Sequence, residues 1–416
     1  MTLSEIIQYA YDNAVFWHEL LDQVGIKPEN VLDIKDLQRL PILRKIDLQK
    51  HLEQCISDEY KRYPKNQFVQ IRRTSGSTGR YLRVYWDRRD DLRSLLPLWK
   101  LRKAWYGIYP NDKLVSYYST LYNGNKIVPA NGTVSHSMGQ ELTFCKTGLT
   151  DARLLEDYRQ IEAYNPAWLR LQPSIAFLLA KTAIENHFKP WANLKYIELT
   201  GEMLRQDTLD EIRRAFPVPV ANMYGMNEVN TIALTCPEGT MHVLGSNLIV
   251  EVINTAGKSV LDEEGDIVVT SLTNRAMPII RYETGDRGVL SCSECPCGHN
   301  GLTLKLSAGR NTEFVRLPDG SQRNAYVLYG AIEYTNEYMA GAIGQYQIQQ
   351  LGTKEFRALL CLKPAFQGWR ESVSRAFLDN LSEPQLREAT WHFDFPDSLF
   401  PDETGKVRAF VSMPES

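Results

Sequence analysis

The stretch from Leu114 to Glu228 alternates extended and helical patterns, and this alternation constrains the fold more than any other feature of the chain. "LVSYYST" (114–120), "AWLRLQ" (167–172), "LKYIELTGE" (194–202) and "PVANMYGMNE" (219–228) read as strands. Between them, "DARLLEDYRQIEAYN" (151–165), "SIAFLLAKTAIENHF" (174–188) and "RQDTLDEIRRAF" (205–216) carry apolar residues at helical spacing, with Asp151 and Ser174 standing where N-caps are needed. Helices placed between strands predict a largely parallel sheet covered on both faces. In such sheets ligands bind beyond the carboxyl ends of the strands. "TGE" and "YGMNE" fall at two of those ends.

The flanking regions differ. Residues 1–65 read as amphipathic helices interrupted at Pro41 in "LPILRK". "NLIVEVINTAGKSVLDEEGDIVVTSLTN" reads as two strands joined by the turn "DEEG", hence an antiparallel or barrel-like subdomain. The last stretch mixes strands ("EFVRL", "QYQIQQLG", "FRALLCLK") with the helix "WRESVSRAFLDNL". A chain of 416 residues exceeds the ~250–300 at which single cores split. The expected fold is therefore α/β: a large N-terminal domain (1–308) of mostly parallel sheets covered by helices plus a barrel-like subdomain, then a small α+β domain (309–416).

Charge and cysteine usage narrow the functional class. A net charge of −3 gives no reason to expect nucleic acid or an anionic membrane as partner. No apolar run approaches the ~20 residues of a membrane span, and the first twenty residues lack the order of a signal peptide, which predicts a cytoplasmic protein. A homodimer is the default for a soluble oligomer. Cys292, Cys295 and Cys297 crowd into "CSECPCGH", with Cys236 and His242 upstream in "CPEGTMH". In a reducing compartment such crowding reads as metal before disulfide, and thiolates with imidazole in fours suit tetrahedral Zn²⁺.

"TSGSTG", residues Thr74, Ser75, Gly76, Ser77, Thr78 and Gly79, has almost no apolar surface to bury. Backbone N–H groups of such a loop converge on an anion, and hydroxyls add donors without bulk. It is neither a Walker A loop nor a G-x-G-x-x-G fingerprint. "YGMNE" (224–228), "RYETGDRG" (281–288), "GR" (309–310) and "TGKVRAF" (404–410) follow in order. Together these five motifs resemble the adenylate-forming superfamily of acyl-CoA synthetases and adenylation domains, and within it the phenylacetate-CoA ligase branch.

The resemblance implies roles. Residues 74–79 would hold the ATP phosphates, and Gly201 and Glu202 would lie beside the adenine. Tyr224, followed by Gly225, would stack on adenine. Glu228 would bind Mg²⁺, with Asn227 where the family has Thr or Ser; its amide can donate to phosphate oxygen. Asp286 would accept from the ribose hydroxyls. Arg310 would sit at a hinge before a mobile lid, and Lys406 would be the catalytic lysine between the acid's carboxylate and the α-phosphate. Cys236, His242, Cys295 and Cys297 would be the zinc ligands, leaving Cys292 spare. The implied activity is ATP-dependent activation of a small, aromatic or otherwise compact carboxylic acid, then transfer to a thiol such as coenzyme A. The alternatives are an amine, carrier-protein or hydroxyl acceptor, and a non-catalytic nucleotide-binding protein. By their position before the core strands, Tyr117, Tyr118, Tyr122 and His136 are candidate walls of the acid pocket, or equally core or surface residues.

Overall fold

In the computed structural model, Leu114–Tyr118, Glu141–Cys145, Trp168–Leu171 and Tyr196–Thr200 form a parallel sheet. The order runs 196–200, 168–171, 114–118, 141–145, with Ser135–Met138 added antiparallel at the edge. The described residues are 1–61, 69–73, 82–118, 121–123, 126–128, 135–146, 149–310, 314–400 and 407–412. The chain forms two units, one from 111–220 with 308–416 and one from 1–110 with 221–307.

In the first of these, the helices Asp151–Tyr164, Pro173–Glu185 and Gln206–Ala215 share a core with alternate strand residues Val115, Leu169, Leu171, Ile197 and Leu199. The period of two sends Ser116, Arg170 and Glu198 to the other face. Two expected caps are corrected. Thr150, not Asp151, caps its helix, its hydroxyl accepting from the Arg153 N–H at 3.2 Å. Ser174 is not a cap either: Pro173, whose ring pre-sets a helical φ, starts that helix one residue earlier.

Tyr117 belongs to this core. It is buried, stacks on Phe144 at 5.1 Å, and donates to Asp157 at 3.0 Å. Its neighbour Tyr118 points to the opposite face and is exposed.

Residues 315–410 bury a core of their own. Ile343–Gly352 and Glu355–Leu362 pair antiparallel, flanked in parallel by Phe410–Val411 and Thr390–Asp394, with the helices Tyr326–Tyr338 and Arg370–Asp379 contributing to that core. Lys181 donates to the Asp397 carbonyl at 2.8 Å and to the Ser398 hydroxyl at 2.7 Å, and Arg205 donates to the Ile343 carbonyl at 3.2 Å.

The other unit is built on antiparallel pairing. Leu248–Ile253, Glu264–Ser271, Tyr282–Ser291, Thr303–Arg310, Met241–Val243, Asn230–Thr235 and Val220–Met226 are neighbours in that order. The connection expected at "DEEG" is longer, because the first strand ends at Ile253 and Glu264–Gly265 already lie in the second. The helices Leu3–Asn13 and Val15–Gln23 bury Ile6, Ile7, Trp17 and Leu21 in the same core as Val250, Val252, Ile267 and Val269. "LPILRK" is a docking point as well as a break: the Leu43 N–H donates to Arg281 O at 2.8 Å and Leu43 O accepts from the Glu283 N–H at 2.9 Å. Arg281 is buried and forms a two-pronged pair with Glu251 at 3.0 and 3.1 Å.

Burial pushes the Asp157 carboxyl up to about 6, against the opposing pull of Arg153 and the Tyr117 hydroxyl. A raised carboxyl pKa means the native state holds its proton longer than the unfolded chain does. The associated stability is complete below the unfolded value of about 3.9 and is lost as pH rises through the folded value. Asp157→Asn should remove this loss, so that stability at pH 7 relative to pH 4 improves by on the order of 1–3 kcal/mol over the parent in urea titrations.

Candidate nucleotide site and metal cluster

The segment "YGMNE" folds as the tip of a hairpin between Val220–Met226 and Asn230–Thr235. A Cβ at Gly225 would stand 2.6 Å from Asn230 O, so only glycine lets the strands approach there. Asn230 closes the turn at φ 63°, a left-handed conformation that asparagine tolerates better than most residues. Glu228, in the turn, is buried and accepts from the Tyr282 hydroxyl at 3.0 Å. Tyr224 donates to the Asp286 carboxylate at 2.8 Å. Asp286 follows Gly285 at φ 79°, and its own N–H donates to the Thr284 hydroxyl at 3.1 Å. Tyr224, Gly225, Asn227, Glu228 and Asp286 are thus gathered by one hairpin and one strand.

The strands Val69–Arg73 and Arg83–Asp87 pair antiparallel, with Arg73 opposite Arg83. Thr74, Ser75, Gly76, Ser77, Thr78 and Gly79 between them lie outside the described residues, as does Lys406. Arg310 ends the strand Thr303–Arg310, and of it only the backbone is described. The same holds for Tyr122 and His136, in the short strands Leu121–Asn123 and Ser135–Met138.

In the unit of residues 111–220 and 308–416, Gly201 turns the chain out of the strand Tyr196–Thr200 at φ 83°. Glu202 then accepts from the Ser174 N–H and hydroxyl, both at 3.0 Å. Burial raises the Glu202 carboxyl; the Ser174 bonds, the nearby Lys146 charge and the Val407 N–H pull it back. Tyr118 accepts from Arg170 at 2.5 Å and donates to Glu141 at 3.0 Å, a polar cluster on the sheet face opposite the helices. Sequence reasoning missed Tyr282 and Ser174 as partners of the two glutamates. Tyr282 was in view inside "RYETGD", but nothing local joins it to a residue 54 positions away.

Cys236, His242, Cys295 and Cys297 bring their ligand atoms within 4.8 Å of one another. Cys236 and Cys295 sulfurs are 3.8 Å apart, and Cys297 Sγ is 3.3 Å from His242 Nε2. A tetrahedron with Zn–S bonds of ~2.3 Å has edges of about 3.8 Å, so the donor set and its spacing fit. Burial, with the nearby His299, lowers the His242 pKa and keeps the imidazole neutral and able to ligate. Burial pushes the Cys236 thiol up to about 11, whereas the Cys297 backbone N–H holds Cys295 below its ordinary value. A cation would displace the Cys236 proton. Cys292 is exposed and outside the cluster.

The hairpin makes its own test. Gly225→Ala should force Asn230 outward and cost about 1–3 kcal/mol by thermal or urea unfolding, as overpacking typically does. An unchanged midpoint would show that the close approach is not a constraint.

The AMP-binding enzyme family profile matches residues 7–274. The chain is 24% identical over 321 residues to a phenylacetate-coenzyme A ligase of Thermus thermophilus, covering 75% of this chain and 69% of that one. A phenylacetate-coenzyme A ligase of Escherichia coli is 26% identical over 291 residues, covering 67% of this chain and 63% of its own length. The chain thus spans about two thirds of the length of these relatives. Among solved structures, a 2-hydroxyisobutyryl-CoA ligase in the postadenylation state in complex with R3-HIB-AMP superposes with a TM-score of 0.74 at 18% identity, over 99% of this chain and 88% of that one. At that identity the likeness is one of fold. The match over well more than half of the sequence places the chain in the AMP-binding enzyme family, within which it is phenylacetate-CoA ligase-like.

Proposed function

We propose that the protein activates a small carboxylic acid, aromatic acids first among the candidates, as an acyl-adenylate at the expense of ATP, and passes the acyl group to the thiol of coenzyme A. The observation that carries the reading is the Tyr224–Asp286 contact beside the buried Glu228, within a chain of the AMP-binding family. Tyr224 offers a ring face to adenine, and Asp286 a carboxylate to two adjacent ribose hydroxyls. Residues 74–79 and Asn227 take the phosphates, Gly201 and Glu202 flank the base, and Glu228 holds Mg²⁺. The substrate carboxylate attacks the α-phosphorus and pyrophosphate leaves. The thiolate then attacks the acyl carbon and AMP leaves. Both partners in the first step are anions, so positioning and charge neutralisation do most of the catalytic work. Mg²⁺ would supply part of that neutralisation and Lys406 the rest.

The region 309–416, with Arg310 at its start, is assigned as the lid that carries Lys406. Cys236, His242, Cys295 and Cys297 are assigned to a structural Zn²⁺, four ligands leaving no open position for chemistry. No helix among the described residues is long and apolar enough to cross a membrane. A cytoplasmic setting supplies the ATP and coenzyme A the reaction consumes.

A panel of carboxylic acids assayed for pyrophosphate release, with and without coenzyme A, tests the reading. Release should require both ATP and an acid, with a thioester formed when coenzyme A is present; pyrophosphate release independent of any acid would exclude it. Lys406→Ala should slow adenylation by roughly 10²–10³-fold, the usual loss on removing one transition-state donor. For the metal, Cys295→Ser should lower a zinc content of about one per chain and depress the melting temperature while the preference among acids stays the same; elemental analysis and calorimetry read both.

A further inference from the structure

We propose that Arg72 and Trp86 are positioning residues that clamp the paired strands Val69–Arg73 and Arg83–Asp87 to the turn bearing Glu228. The inference rests on the reading of residues 74–79 and Glu228 as phosphate- and magnesium-binding. The strands on either side of the glycine- and hydroxyl-rich segment each reach the turn. From the entering strand, Arg72 spans Asp91 with two bonds of 2.7 and 2.8 Å and also donates to the Asn230 side-chain oxygen. From the leaving strand, Trp86, fully buried, donates its indole N–H to the Asn227 carbonyl at 2.9 Å. The two holds touch each other, the Arg72 guanidinium lying 5.8 Å from the centre of the Trp86 ring. The turn from Asn227 to Asn230 is therefore gripped at both ends, with Glu228 between.

The anchor is rigid. Asp91 and Ser94 are buried on the helix Arg88–Tyr106, whose N-cap Asp87 is the last residue of the leaving strand. The Asn230 amide donates to Asp91 at 2.9 Å and to the Ser94 hydroxyl at 2.6 Å while its oxygen accepts from Arg72. Only a side-chain amide supplies a donor and an acceptor in this way; a carboxylate at 230 would face Asp91 with like charge. Arg72 is equally specific, since a planar guanidinium bridges two acceptors that a lysine point charge cannot hold together. If Glu228 holds Mg²⁺ and residues 74–79 hold the phosphates, the strands flanking 74–79 and the turn bearing Glu228 would have to stay in register. The clamp would supply that register through protein contacts.

The test is titration of ATP by calorimetry, with and without Mg²⁺, on the parent, R72K and W86F, each also checked by thermal unfolding. In the parent, Mg²⁺ should tighten ATP binding. In R72K and W86F that Mg²⁺-dependent gain should shrink about tenfold, while ATP binding without the ion changes less than twofold. KM for ATP should rise likewise, with KM for the acid unmoved. A purely structural role would lower the melting temperature and leave the magnesium increment intact, which would overturn the proposal. W86F keeps a six-membered aromatic ring but loses the five-membered ring together with its N–H, so its packing loss is read from thermal unfolding, and R72K, which keeps the charge, is the second variant. A parent that binds no Mg–ATP would overturn the functional reading and the clamp with it. A parent that binds, with both variants unchanged, would overturn the clamp alone.

Discussion

The contact at which Gly225 comes against the Asn230 carbonyl sets the geometry of everything around it. A side chain there would sit 2.6 Å from that oxygen, so a missing Cβ lets the two strands close and the three-residue turn form. Glu228 is buried as a consequence, and burial of a carboxylate is tolerable only with partners; the Tyr282 hydroxyl is one. Tyr224, one residue before the glycine, reaches Asp286 from the same strand. The hairpin thus presents an aromatic ring, a carboxylate and an amide from five consecutive positions, and the neighbouring strand adds a second carboxylate.

Charge burial is managed by pairing in the unit of residues 1–110 and 221–307. Arg281 with Glu251, Arg275 with Asp90 and Arg72 with Asp91 each place a planar guanidinium on a carboxylate that is at least nine-tenths buried. Such pairs gain little net stability over an apolar replacement, yet breaking one leaves a buried charge uncompensated. They act as registration pins between segments far apart in the chain. Around Arg72 this ties the strand Val69–Arg73 to Asp91 and to Asn230 in the turn; around Arg281 it fixes the N-terminal helical region through the carbonyls of Gln38 and Leu40.

The strand–helix alternation from Leu114 onward was legible because periodicity is a local signal. Helix caps were legible to within two residues and no better. Thr150 and Asp151 are both good caps by chemistry, and only the backbone angle at the helix entry selects Thr150. Tyr117 and Tyr118 show the same limit. Adjacent strand residues face opposite sides, so one had to be core and the other not, but which side the helices cover depends on packing. The "DEEG" turn chemistry was real, and the hairpin nevertheless turns earlier, because pairing between Leu248–Ile253 and Glu264–Ser271 decides where the connection begins.

The amino-acid sequence by itself determined the α/β class, the family and the order of the motifs, since each of these is written in residue types at short spacing. The grouping of Cys236 and His242 with Cys295 and Cys297 was implied by the family resemblance, and their closeness was decided by the antiparallel pairing that sets His242 opposite Thr303. The partners that hold the site were decided by the tertiary structure alone: Tyr282 for Glu228, Ser174 for Glu202, Asn230 for Arg72. The physical reason is separation. Arg72 and Asn230 lie 158 residues apart, and hydrogen-bond partners at that distance are selected by strand register and burial, which no local pattern encodes.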